Sequence, residues 1–119
     1  MPLDSTNWSQ PIEVDEATAL LIRARGFLER GWCCQTLARD SRSRDVSPHS
    51  ARAVRWCAVG ALMAAGLPRY AFLFGFRRHA VRRLKAAIGG ENICGFNNRQ
   101  KTVEPVLAAF DRAIAAGVQ

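Results

Sequence analysis

Four cysteines, Cys33, Cys34, Cys57 and Cys94, and two histidines, His49 and His79, are the side chains with the strongest claim to chemistry in this chain. A cysteine works as a nucleophile when its thiolate is stabilised and a base stands beside it. His49 is the base that could serve Cys33 or Cys57, yet on one continuous helix it would sit two turns from Cys57, out of direct reach. No C-x-x-C pair occurs, so the spacing signals neither a redox dithiol nor a zinc site; Cys33, Cys57, Cys94 and a histidine form no ligand pattern. No Ser-His-Asp order carries a local signature. "IGGENICG" lacks the Lys and Ser/Thr of a phosphate-binding loop. The expectation is no catalytic residue, no metal and no cofactor.

Cys33 and Cys57 each follow a tryptophan, and Cys57 heads a run of small residues, "RWCAVGALMAAG", from Arg55 to Gly66. Gly60 is costly inside a helix, and the close approach of a second helix is what is expected to offset that cost. Free cysteine commonly behaves as a small buried hydrophobe. These residues therefore predict a packed structural cluster around Trp32, Cys33, Trp56, Cys57 and Gly60, with Trp32 set against Trp56. A Cys-dependent enzyme or redox sensor is the competing reading.

The strongest surface signal is "FRRHAVRRLK", Phe76 to Lys85. On a helix, Arg78, Arg82 and Lys85 share one face, with Arg77 and Arg83 on its flanks. Such a stripe suits phosphates or an acidic protein surface, although a solvated face over an apolar core explains it as well. The preceding "YAFLFGF" is apolar where recognition helices carry polar base-reading residues. Nucleic acid, if bound, would be held by its backbone. "RDSRSRD", Arg39 to Asp45, alternates in charge and reads as an exposed loop with room for a short hairpin.

The elements that must position these groups follow from periodicity. Ala17, Leu20, Leu21, Ala24, Phe27 and Leu28 predict a helix over 14–30, closed by Gly31. Ser47 as N-cap, Pro48 and the stop at Gly66 and Pro68 predict a second helix whose stripe includes Val54, Cys57, Ala58, Ala61, Leu62 and Ala65. A third is expected over 69–88, with Gly75 as a kink or as a break between a short helix and a longer one, and Gly89 as its cap. "ENICGFNNRQK" reads as a loop with Ile93 and Phe96 plugging the core. Thr102 is expected to cap a last helix that tolerates Pro105 and ends at Gly117. The fold class expected is all-α, a compact bundle of about four helices with structured connecting loops.

The chain has 119 residues, enough for one domain. The expected division is a polar N-terminal tail over 1–13 and a single helical domain over 14–119. No apolar run approaches the roughly 18 residues of a membrane span, and no signal peptide is visible, so the expected location is the cytoplasm. The net charge of +7 invites a polyanion. All basic residues except Lys85 and Lys101 are arginine, a bias that GC-rich coding also produces.

"ERGWCCQTLARD", "VRWCAVGAL" and "TVEPVLAAFDRAI" together resemble an uncharacterised family of bacteria and their phages, a domain of unknown function. Its Gly-Trp-Cys, Trp-Cys-x-x-Gly-Ala-Leu and Trp-Asn-Asp motifs correspond here to Gly31, Trp32 and Cys33, to Trp56, Cys57, Gly60, Ala61 and Leu62, and to Asn97, followed by Thr102. Cys34, Phe96, Asn98 and Lys101 stand where the family tends to have Gln, Trp, Asp and Arg. The resemblance implies a common fold over roughly 14–116 and a small accessory protein of phage type; it brings no known activity with it. The expected function is therefore non-enzymatic binding of a protein partner, such as a host nuclease complex. Backbone-directed nucleic-acid binding through Arg77, Arg78, Arg82, Arg83 and Lys85 is the alternative.

Overall fold

The computed structural model describes residues 15–67 and 78–117. The expected polar tail, the apolar stretch with Gly75, and Arg77 lie outside the described residues. Helix α1, Glu16–Arg30, begins where the Asp15 carboxylate accepts the Thr18 N–H at 2.7 Å, and it carries Glu16 in its first turn and Arg30 in its last. That arrangement satisfies one orphan donor and complements the helix dipole. Its buried face is Ala17, Thr18, Leu20, Leu21, Ala24 and Leu28; of the periodic set of the sequence, Phe27 is half-buried instead.

The second helix starts later than expected. Ser47 does not cap it; its Oγ accepts the His49 N–H at 3.1 Å, and the Ser50 Oγ accepts the Arg52 N–H at 3.0 Å. These local bonds offer the backbone turns instead of a helix. The chain then runs as strand β2, Arg55–Trp56, antiparallel to β1, Ala38–Arg39, with Ala38 facing Trp56 and Arg39 facing Arg55. Helix α2 is Ala58–Ala65, and Val54, expected on its apolar stripe, is 42% exposed ahead of β2.

Helix α3 spans Arg78–Ala87, and positive φ at Gly89 and Gly90, 79° and 87°, turns the chain away after it. The segment expected as a loop contains a short helix, α4, Ile93–Asn98, capped by Asn92, whose Oδ1 accepts the Gly95 N–H at 2.9 Å. Helix α5 is Glu104–Ala116. Thr102 does not cap it: Val103 holds the cap position without a side-chain bond, and Pro105 lies in the first turn, where a missing N–H costs nothing. The all-α expectation is thus corrected to five helices and one two-stranded ribbon among the described residues.

Helix α1 is central, touching α2, α3, α5 and β2. The core joins Leu20, Leu21 and Leu28 to Leu62, Leu84, Ile93, Val106 and Phe110, with alanines of α1, α2, α3 and α5 filling the close approaches. Arginines close three helix ends from neighbouring helices. Arg23 of α1 donates to the Ala65 carbonyl of α2 at 3.1 Å, Arg112 of α5 to Ala87 of α3 at 2.9 Å, and Arg83 of α3 to Ala113 of α5 at 2.6 Å. Each supplies a donor to a last-turn carbonyl that has no helical partner. No helix among the described residues is long and apolar enough to cross a membrane.

Candidate functional site

The motif residues converge on one side chain. Asn97, fully buried on α4, accepts the Trp32 indole N–H at 2.8 Å and the Ala58 N–H at 3.0 Å on its Oδ1. Its Nδ2 donates to the Cys33 carbonyl at 3.2 Å and to Asn98 Oδ1 at 3.3 Å. An amide has two acceptor and two donor places, and all four are used. The side chain therefore fastens α4 to the start of α2 and to the chain leaving α1.

Around it the two tryptophans are joined through their backbones. The Trp56 N–H donates to the Gly31 carbonyl and the Cys33 N–H to the Trp56 carbonyl, each at 3.1 Å. Their indoles serve different partners. Trp56 donates to the Pro48 carbonyl at 3.1 Å and meets Phe27 edge-on, centroids 4.9 Å apart. The Arg30 guanidinium lies over both of those rings, at 5.3 and 5.4 Å. Gly60 packs closely, as expected, but its neighbour is the Leu37 backbone rather than a second helix; a Cβ at Gly60 would strike the Leu37 carbonyl. Gly31 is constrained in the same way by the Val54 carbonyl.

Cys33 and Cys57 are buried, and Cys34 is half-buried. Cys57 caps α2, its sulfur accepting the Gly60 N–H at 3.2 Å. Burial nonetheless pushes its pKa up, and burial pushes Cys33 up to about 11 and Cys34 upward as well. None of these three is the depressed thiol that nucleophilic catalysis uses. His49 stands exposed on the turn between Ser47 and Arg52 rather than on a helix beside Cys57. Cys94 is exposed, at the rim of two clefts. One, about 220 Å³, is lined by Gln35, Thr36, Leu37, Cys57, Cys94 and Asn98. The other, about 400 Å³, is lined by Val59, Val81, Lys85, Asn92, Ile93 and Cys94. Gln35 holds a positive φ of 71°, unusual for a residue with a side chain, and its N–H is taken by Asn98 Oδ1 at 2.8 Å.

The basic stripe is divided by the structure. Arg82 and Lys85 are exposed. Arg83 is turned inward, bound to the Ala113 and Ile114 carbonyls and to the Asp15 carboxylate at 3.2 Å. Arg78 opens α3, and Arg77 lies outside the described residues.

A second polar hub escapes sequence reasoning. Asp40, only 4% exposed, accepts the Arg42 N–H, the Arg44 N–H and the Arg44 guanidinium, each at 2.9 Å. The Arg44 N–H foremost lowers its pKa. Arg55 clamps the same loop, donating to the Asp40 carbonyl at 3.2 Å and to Ser43 Oγ at 2.6 Å. Arg39 reaches Asp45 at 2.9 Å, the Ser43 carbonyl at 3.0 Å and the Cys34 carbonyl at 3.3 Å. The only signal in the sequence was an Asp at the mouth of a polar turn, where its carboxylate can accept nearby amides. Arg42 and Arg52 are exposed, and neither guanidinium has a partner among the described residues.

No curated protein and no solved structure matches the chain. One family model does, over residues 13–116, nearly the whole length. The chain belongs to that family, DUF6197, a family of unknown function.

Proposed function

We propose that the protein is a small non-enzymatic binding protein that recognises the acidic surface of a protein partner through the loop between β1 and β2. The observation that carries this is the Asp40 network. A surface loop held by a buried carboxylate and two clamping arginines loses little freedom on binding. It presents Arg42, and the Ser50 turn of the same β1–β2 connection presents Arg52; the described fold uses neither guanidinium. By contrast, the polar groups of the sequence motifs are spent on architecture: Asn97 on four bonds, Cys57 on a helix cap. An accessory or regulatory role, with a phage-type inhibitor of a host nuclease complex as one form, accords with the resemblance of the motifs.

A second reading rests on Arg82 and Lys85, exposed on α3: contact with a nucleic-acid backbone. Fluorescence anisotropy with generic duplex and single strands, at low and physiological salt, separates the two. Absence of binding at low salt supports the protein partner. Tight binding that falls steeply with salt and is lost in Arg82→Glu with Lys85→Glu selects the second reading. Crosslinked capture from the native lysate then tests the first directly. A stoichiometric partner retained by the α3 double variant and lost by Arg42→Glu with Arg52→Glu is the expected result. Capture unaffected by the loop variant, or no capture, overturns it.

A further inference from the structure

We propose that Cys57 and Cys94 form a redox pair that closes into a disulfide across the cleft between the start of α2 and the first turn of α4. Both residues line the same cleft of about 220 Å³. Their convergence follows from the Asn97 anchor. Cys94 borders that cleft together with Asn98, four residues on, so these two share the face of α4 that lines it, beside the buried Asn97. Asn97 Oδ1 holds the N–H of Ala58, the residue after Cys57, at 3.0 Å. That bond docks α4 beside the start of α2, and Cys94, in the first turn of α4, borders the same cleft as Cys57.

The two thiols are suited to different steps. Cys94 is the exposed thiol of the four and meets a small oxidant first. Cys57 is 4% exposed, with its sulfur fixed by the Gly60 N–H at the cleft wall. Cys33 and Cys34 point their S–H groups at the carbonyls of Thr36 and Asn97 instead. A disulfide needs Cα atoms within about 7 Å. The start of α4, a six-residue helix exposed at its cap Asn92 and at Cys94 and Gly95, is the element that adjusts to reach that distance.

With hydrogen peroxide as oxidant the chemistry balances. The Cys94 thiolate attacks one peroxide oxygen, the O–O bond breaks, and hydroxide leaves, giving a sulfenic acid. The Cys57 thiolate attacks that sulfur, the S–O bond breaks, and a second hydroxide leaves. With the two thiol protons this yields one disulfide and two waters; the thiols are oxidised and the peroxide is reduced. A thiol reductant reverses the bond by exchange.

The test treats the full chain with excess peroxide, unfolds it, alkylates the remaining thiols, and maps peptides by mass spectrometry without reduction. The expected product links the Cys57 and Cys94 peptides, lighter by two hydrogens, with Cys33 and Cys34 alkylated and the link removed by dithiothreitol. Cys94→Ser should abolish the link and leave Cys57 alkylated. Cys57→Ser keeps an oxygen at the cap, preserving the fold, and should leave a Cys94 sulfenic acid that dimedone traps. Cys94 recovered as a sulfinic or sulfonic acid, as an intermolecular dimer, or without a dimedone adduct in Cys57→Ser overturns the pairing. So does a Cys33–Cys57 link that persists in Cys94→Ser.

Discussion

At the scale of single residues, Gly60 and Asn97 carry the clearest consequences. Alanine at Gly60 should gain about 1 kcal/mol of helix propensity. It must also displace the Leu37 carbonyl, and forcing atoms into packed backbone costs about 1–3 kcal/mol. Because the obstacle is backbone and not a flexible side-chain tip, the clash should win and Gly60→Ala should lower the urea midpoint. Gly26 is the control: it also lies inside a helix, but nothing stands within 4 Å of its would-be Cβ, so Gly26→Ala should stabilise by about 1 kcal/mol. Equal effects at the two positions would refute the close approach. Asn97→Ala strands the Trp32 indole N–H and the Ala58 N–H in the interior. Each orphan costs about 1–3 kcal/mol, so chemical denaturation should show a loss of about 3 kcal/mol. The need for Gly60 was legible because a glycine in an alanine-rich run requires close approach. The identity of its neighbour was not, because a small residue records the space and not its occupant.

At the scale of elements, α1 and the body of α5 were legible and the ribbon was not. Fifteen residues of α1 give periodicity room to show, whereas a strand of two residues has no period. Ser47 and Pro48 signal helix starts and turns alike, and two serine Oγ bonds decide for turns. The loop that follows β1 depends on Asp40, and that dependence has a pH signature. Its carboxyl is held below the usual carboxylate value by the Arg44 amide first, with the Arg44 guanidinium adding to the effect. A group whose folded pKa lies below its unfolded value stabilises above the unfolded value, about 3.9, and loses that contribution as pH falls through the folded one. Melting temperatures from pH 7 downward should therefore show the wild type falling below about pH 4. Asp40→Asn should start lower and converge on the wild type in acid. Parallel curves, with no convergence, would show that the Asp40 charge is not what holds the loop.

At the scale of the whole molecule, the question is what a net charge of +7 is for. Composition could not answer it, because an arginine that closes a helix end and one that waits for a partner look the same in sequence. Arg23, Arg83 and Arg112 direct their donors to carbonyls at the ends of α2, α5 and α3, and Arg39 and Arg55 direct theirs to the loop. Much of the positive charge is architectural, and the cations left over at the surface include Arg42 and Arg52 on the loop and Arg82 and Lys85 on α3. If the loop is the recognition surface, an acidic polypeptide such as polyglutamate should bind the folded state and raise its melting temperature in low salt. Ligand at a hundredfold its Kd stabilises by about 2.7 kcal/mol. For a domain of this size that is roughly 10 °C. The shift should vanish near 1 M salt, where the screening length falls to about 3 Å. It should also vanish in Arg42→Glu with Arg52→Glu while persisting in Arg82→Glu with Lys85→Glu. Equal loss in both double variants would mean that the polyanion senses only a diffuse field. The charge would then belong to the arginine-closed helix ends of the fold, and the β1–β2 loop would lose its claim as the binding surface.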